Sequence, residues 1–244
     1  MNRFFVEKEH IGPDVIKITD IDDVHHIARV LRLSPGEKVF ISDGVGGGYI
    51  TEVERIAKNI VTLNIREVKE RKQKCDRNII VSLACAIPKN ARFEDVIDKA
   101  TQLGVSEIIP LLTERTLIGK GAFDKKRERF NRVIMAAASQ SGALFLPELK
   151  EAVFFEDLTG NLRQYELCLL PNLSDRTQLL KDAVSGFKGK RVLVLIGPEG
   201  DFTKHEIEVA LNLGCVGVGL GDSVLRVDTA ALSVISFLRL YFGE

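Results

Sequence analysis

The run Val192-Leu193-Val194-Leu195-Ile196 stops at Gly197-Pro198-Glu199-Gly200, and a second loop, Leu220-Gly221-Asp222-Ser223-Val224-Leu225-Arg226, follows before a strongly apolar closing segment. A short unbroken apolar run bounded by turn residues reads as a strand buried on both faces. When such a strand ends in a Gly/Pro loop, an open α/β sheet offers a ligand crevice at the strand's carboxyl end. Two loops of this kind lie close together in the chain. The chemistry is expected there.

Upstream, strands alternate with helices from residue 79 onward, which predicts a parallel sheet. Ile79–Ala86 reads as a buried strand and Pro88-Lys89-Asn90-Ala91-Arg92 as a turn. Phe93–Leu103 reads as an amphipathic helix capped by Gly104, and Ser106–Leu112 as the next strand. Lys125–Ala138 reads as a helix with a basic first half, either an RNA-facing surface or a solvated face. Ser139-Gln140-Ser141-Gly142 reads as an irregular polar loop. Tyr165–Leu170 is a strand ending at Pro171-Asn172-Leu173-Ser174, and Gln178–Ser185 a short helix. Residues 1 to about 68 form a separate β-rich unit, with short alternating runs at Arg3–Val6, Val15–Ile18, Lys38–Ser42, Gly48–Ile56 and Asn59–Glu67. Between them, Asp22–Leu31 reads as a helix; Arg29 and Arg32 share a face that either contacts phosphate or flanks solvent. Asp43-Gly44-Val45-Gly46-Gly47-Gly48 is a hairpin connection, with a phosphate cradle as its alternative reading. The charge-dense stretch Val68–Arg77 marks the domain boundary, dividing 1–70 from 71–244.

Formal net charge is zero, which counts mildly against a nucleic-acid partner. The distribution is uneven, however. Residues 73–150 carry 13 basic against 9 acidic groups and residues 151–244 carry 9 against 13, so local basic surfaces remain possible. No apolar run has the length of a membrane span, and the N-terminus lacks a signal-peptide pattern. Cys75, Cys85, Cys168 and Cys215 show no metal-ligand spacing and read as reduced buried thiols. A cytoplasmic protein is expected.

Phosphate-loop, nucleophile-elbow and zinc-protease motifs are absent. Gly217-Val218-Gly219-Leu220-Gly221 fails the dinucleotide fingerprint, because its third glycine comes too early and no helix opens there. His205, near the first loop, reads as a surface histidine. Three strand-end loops remain: Leu170-Pro171-Asn172, Gly197–Gly200 and Leu220–Arg226. They are poor in acid–base groups and rich in backbone, which suits an adenine-bearing cofactor held by main-chain and apolar contacts.

These residues carry a resemblance. Ile196-Gly197-Pro198-Glu199-Gly200, with Leu220-Gly221, Val224-Leu225-Arg226 and Asp228-Thr229-Ala230, resembles the SPOUT superfamily of RNA methyltransferases. Within it the chain looks like the RsmE family of 16S rRNA uridine-N3 methyltransferases. Arg29–Leu33 and Asp43-Gly44 match that family's N-terminal unit; Lys89, Lys99–Val105, Pro110 and Thr113-Glu114-Arg115 match its central segment. The resemblance implies an α/β fold: a C-terminal trefoil-knotted methyltransferase domain behind a small PUA-like β-barrel. It implies S-adenosylmethionine bound among the three loops by Leu170, Pro171, Ile196, Gly197, Pro198, Glu199 and Gly200, and by Leu220, Gly221, Val224, Leu225, Arg226 and Ala230. It implies 16S rRNA or the small ribosomal subunit as partner, reached through Arg3, Arg29, Arg32, Lys89, Arg92, Lys99, Arg115 and Gln140. It also implies a homodimer, and the closing segment Thr229–Phe242, apolar nearly all round, is what a helix with two packing partners needs.

Methylation at uracil N3 requires loss of the N3 proton and an unpaired or flipped-out base. Arg226 is the candidate for stabilising the uracil anion or holding its phosphate. Asp228, or failing it Glu199, is the candidate proton acceptor, and Asp228 could equally cap the last helix. The chain departs from the family pattern at Asp201 (usually Gly), Ser223 (usually Arg), Asp228 (usually Glu) and Ala143 (usually Arg). Alternatives are a SPOUT enzyme with another target, a non-catalytic ribosome-associated homologue and, on Gly217–Gly221 alone, a dehydrogenase.

Overall fold

The computed structural model describes residues 1–69, 78–88, 92–117 and 119–243, and divides the chain into two compact units. The first comprises residues 1–76 with 138–146, the second 77–137 with 147–244.

The first unit holds β1 (Asn2–Phe5), β2 (Val15–Ile18), α1 (Ile21–His25), β3 (Lys38–Ser42), β4 (Gly48–Ala57) and β5 (Ile60–Lys69). They form one five-stranded sheet in the order β1-β3-β4-β5-β2, antiparallel except for β1 beside β3. Alternation produces this sheet: Ile16, Ile18, Val39, Ile41, Val61 and Leu63 turn inward and are fully or almost fully buried. The expected helix is present over Ile21–Val30, but only its first five residues are α-helical. α1 passes at once into a π turn over His26–Val30, and Arg32 then takes a left-handed φ of 52°. Arg29, within the π turn, and Arg32, after it, are both exposed. The glycine-rich loop is a hairpin connection. The Asp43 carboxylate accepts the Val45 and Gly47 N–H groups at 2.9 and 2.8 Å, which occupies donors a phosphate would need.

The second unit contains β6 (Ile80–Ala86), α2 (Arg92–Gln102), β7 (Glu107–Leu112), α3 (Lys120–Asp124), α4 (Arg127–Ser141, whose last turn falls in the first unit), β8 (Glu148–Leu149), β9 (Val153–Phe154), α5 (Phe155–Thr159), β10 (Leu167–Pro171), β11 (Gln178–Leu179), α6 (Leu180–Ala183), β12 (Arg191–Ile196), α7 (Lys204–Asn212), β13 (Val216–Gly219) and α8 (Val227–Phe242). Its sheet is parallel throughout, in the order β11-β13-β10-β12-β6-β7-β8, with β9 also on β7. The central strand β12 reads as a continuous apolar run because it is covered on both faces, and Val192–Leu195 are fully buried. Cys85, Cys168 and Cys215 are buried free thiols; Cys75 and the turn at 89–91 lie outside the described residues.

Three expectations need correcting. Ser139-Gln140-Ser141 is not an irregular loop but the last turn of α4. The Ser141 hydroxyl donates to the Ala138 carbonyl at 3.3 Å, and Gly142 ends the helix with a φ of +74°. The segment from Gln178 begins as a two-residue strand, and only Leu180–Ala183 is helical. The closing helix starts at Val227, so Arg226 and not Asp228 is its N-cap residue. That helix packs on β12, β6 and α2, burying Val227, Ala231, Val234, Ile235 and Leu238. Asn78 secures its end, donating to the Phe242 carbonyl at 2.7 Å, and Gly243 closes it in the left-handed region. Leu240 and Tyr241 are left exposed. No helix among the described residues is long and apolar enough to cross a membrane.

Candidate active site

β13, β10 and β12 are neighbours in a parallel sheet, so the loops that leave their carboxyl ends emerge on one side. The loops after Pro171, Ile196 and Gly219 meet around a pocket of about 600 Å³. The insertion of β13 beside β10, rather than sequence proximity, brings the first loop to the other two. The packing there is close: a Cβ at Gly217 would collide with the Arg176 carbonyl oxygen.

Of the residues assigned to the cofactor, Pro171, Ile196, Gly197, Pro198, Glu199 and Gly200 line the pocket on one side. Leu220, Gly221, Val224, Leu225 and Ala230 line it on the other. Leu170 is fully buried beneath the lining, and Arg226 stands outside it, exposed. Leu173, Ser174, Asp175, Thr177 and Asp201 also line the pocket, although the sequence reading gave them no ligand role.

The first wall is internally braced. Asn172 is buried, its Oδ1 accepts from the Ser174 N–H and hydroxyl at 2.9 and 2.5 Å, and its Nδ2 donates to the Leu170 carbonyl at 2.8 Å. The second wall is held from behind by Glu206, the most buried carboxylate among the described residues, with 4% exposure. Its Oε2 accepts the Thr203 N–H at 2.8 Å and its Oε1 accepts the Glu114 N–H at 3.0 Å, while the Thr203 hydroxyl oxygen accepts the Glu206 N–H. This capping box starts α7 immediately after the Gly-Pro-Glu-Gly loop and ties it to the end of β7. The spacing Thr203-x-x-Glu206 was a sequence signal for it; the reach to Glu114 was not.

Asp228 occupies the first turn of α8, and its Oδ1 is buried with no hydrogen-bond partner. An unpaired buried carboxylate oxygen is costly in a folded protein and is expected where a ligand supplies the missing donor. Asp228 and Glu199 both lie close enough to the fully buried Cys85 to matter to it. Burial chiefly, then the negative charge of these two carboxylates, pushes the Cys85 thiol well above its ordinary range, so it stays protonated and unreactive.

The residues assigned to RNA are divided between the two units. Arg3, Arg29, Arg32 and Gln140 belong to the first unit; Lys99 and Arg115 belong to the second. Arg3 donates to the Gly142 carbonyl at 3.1 Å and lies over the Phe40 ring, while Gln140 is exposed on the last turn of α4. Lys99 pairs with Asp98 at 2.7 Å, a contact that raises its pKa. Arg115 does not line the pocket but donates to the carbonyl of Gly200, which does. Lys89 and the Arg92 side chain lie outside the described residues. His205 is exposed on α7.

The lining has the character a cationic adenosyl cofactor requires: main-chain groups at three loop ends, apolar side chains at Leu220, Val224 and Leu225, and the acidic residues Asp175, Glu199, Asp201 and Asp222 with no lysine or arginine among them. Comparison with known proteins agrees. Residues 75–239 match a family described as an RNA methyltransferase domain, and residues 18–66 match an RNA methyltransferase PUA domain. The ribosomal RNA small subunit methyltransferase E of Synechocystis is 31% identical over 93% of this chain and 74% of its own length. The protein of that name from Bacillus subtilis is 29% identical over 97% and 96%. Among solved structures, a methyltransferase from Legionella pneumophila in complex with bound SAM superposes with a TM-score of 0.86 at 28% identity, covering 98% of this chain and 97% of that one.

Proposed function

This chain belongs to the ribosomal RNA small subunit methyltransferase E family, and on that premise we propose that it methylates N3 of a uridine in 16S rRNA. Transfer of a methyl group from S-adenosylmethionine to small-subunit ribosomal RNA is the activity of the family. The uridine, its N3 atom and the residue roles are our reading. The observation that carries it is the convergence of three strand-end loops on one pocket, with an unpartnered carboxylate oxygen in the first turn of the adjoining helix.

The loops at Pro171, Gly197–Gly200 and Leu220–Leu225 would hold the cofactor, which supplies a methyl group activated by a sulfonium centre. The work left to the protein is placement and proton handling. N3 attacks only after losing its proton, and the Asp228 carboxylate, whose buried Oδ1 has no hydrogen-bond partner, is the acceptor in this reading. Arg226, exposed immediately before α8, balances the negative charge that develops on the uracil oxygens as the proton leaves. Because the attacked atom lies on the pairing edge, the uridine enters unpaired or flipped out. Arg29, Arg32 and Gln140 are proposed to hold the flanking RNA, without contributing to the transfer itself.

We further propose that the three loops form a trefoil knot, that 1–70 and 71–244 act as RNA-binding and catalytic domains, and that the enzyme works in the cytoplasm. The exposed Leu240 and Tyr241 on an otherwise well-packed α8 support a homodimer through that helix. The test of function is mass mapping of small-subunit rRNA from a strain lacking the gene. One N3-methylated uridine should disappear and return with the wild-type gene; an unchanged map overturns the reading.

A further inference from the structure

Asp201 stands directly after the Gly-Pro-Glu-Gly loop with a φ of +61°, and it is one of two non-glycine residues in the left-handed region among those described. Glycine would adopt this conformation freely, so an aspartate there costs free energy that its side chain must offset. The side chain has the means. Its Oδ2 accepts the Leu173 N–H at 2.9 Å, and its Oδ1 accepts the Phe202 N–H at 2.8 Å. Leu173 belongs to the loop after β10 and Phe202 to the loop after β12, so one carboxylate joins two walls of the pocket. The same turn is gripped from its other side by Arg115. Its guanidinium is hydrogen bonded to the Gly200 carbonyl, with the Asp201 and Phe202 carbonyls at 3.4 and 3.5 Å.

Resting on the cofactor reading above, we propose that Asp201 and Arg115 are positioning residues forming a two-sided clasp that sets cofactor affinity in this chain. The clasp fixes the distance between Leu173 and Gly200 before any ligand arrives, so binding has less loop freedom to remove. It also gives Arg115 a task other than RNA contact. Opposite charges suit opposite ends of the turn: the cation takes the carbonyl oxygens and the anion takes the N–H groups. Neither side chain needs to touch the reacting atoms for this role.

The test is calorimetric titration of S-adenosylmethionine into full-length wild type, Asp201→Gly, Asp201→Asn and Arg115→Ala, with the thermal midpoint of each as a fold control. Glycine relieves the backbone but removes both acceptors, so Asp201→Gly should keep a near-wild-type midpoint while its Kd rises about 3- to 10-fold. Asp201→Asn keeps one acceptor oxygen and should recover part of the loss. Arg115→Ala should weaken binding by a similar factor, and combining it with Asp201→Gly should add less than the product of the two, since both hold one turn. An unchanged Kd in Asp201→Gly beside a wild type that binds cofactor overturns the clasp and leaves the function standing. Equal losses in the glycine and asparagine variants with lowered midpoints also overturn it, by reducing the role to fold stability. A wild type that takes up no cofactor overturns the cofactor reading, and the clasp with it.

Discussion

Two walls of the same pocket are built in opposite ways. The wall at Gly197–Phe202 is held by Glu206 from beneath, by Arg115 on its carbonyls and by Asp201 across to Leu173. The wall at Gly221–Leu225 makes no hydrogen bond to another described residue, and Val224 on it is 76% exposed. Its end is held where α8 begins, by the Arg226 carbonyl, which accepts the Ala230 N–H at 2.8 Å, and by the buried Val227. The contrast suits a two-substrate enzyme on the proposed reading. A small cofactor is bound best by a wall already in place, whereas an RNA strand needs a wall that can adapt around it. It also places the residues of proposed chemistry, Arg226 and Asp228, at the junction between the open wall and the rigid helix α8.

Substitutions can break or sharpen this contrast, and the largest effect is expected at that junction. Arg226→Ala should lower methyl transfer by about 10³-fold, in the upper part of the range seen on losing one charge-stabilising donor, with the thermal midpoint unchanged. Turnover near wild type in a steady-state assay would remove Arg226 from the mechanism. Asp228→Asn should cost about 10²-fold in kcat, as loss of a general base does, and should leave cofactor affinity in place; calorimetry and initial rates separate the two. On the clasped wall the expected effect moves from rate to stability. Glu206→Ala strands the Glu114 and Thr203 N–H groups, and a loss of about 2–4 kcal/mol in urea unfolding follows from two orphaned donors. Glu206→Gln, which keeps both oxygen and shape at one end, should lose less. The smallest effect belongs to the open wall: Val224→Ser should change stability by no more than about 0.5 kcal/mol. A large loss of stability there would mean that the open wall is packed after all.

The sequence showed the architecture where one physical signal dominated. Alternation in Val15–Ile18 and the unbroken run at β12 gave strands that the structure reproduces, and the three strand ends pointed to one side of a parallel sheet; Lys38–Ser42 is also a strand, but it is buried at every residue after Lys38 instead of alternating. It misled where two local signals competed. Ser139-Gln140-Ser141 has the composition of a loop, yet serine hydroxyls can bond back to helix carbonyls, and Gly142 supplies the stop. Asp228 has the chemistry of an N-cap, but helical backbone begins one residue earlier and leaves its carboxylate in the first turn with a free oxygen. The clasp was invisible because it joins Leu173, Arg115 and Asp201, which are far apart in sequence. No periodicity reports such contacts. In the sequence Asp201 is only a departure from a glycine; its φ and its two accepted hydrogen bonds give it a purpose.

The most direct test of the central claim is nucleoside mass spectrometry of small-subunit rRNA incubated with S-adenosylmethionine and either wild-type protein or Arg226→Ala. The account predicts 3-methyluridine at one position with wild type and none above background with the variant. Methyl transfer to a different nucleoside, or equal yields from both proteins, would contradict it.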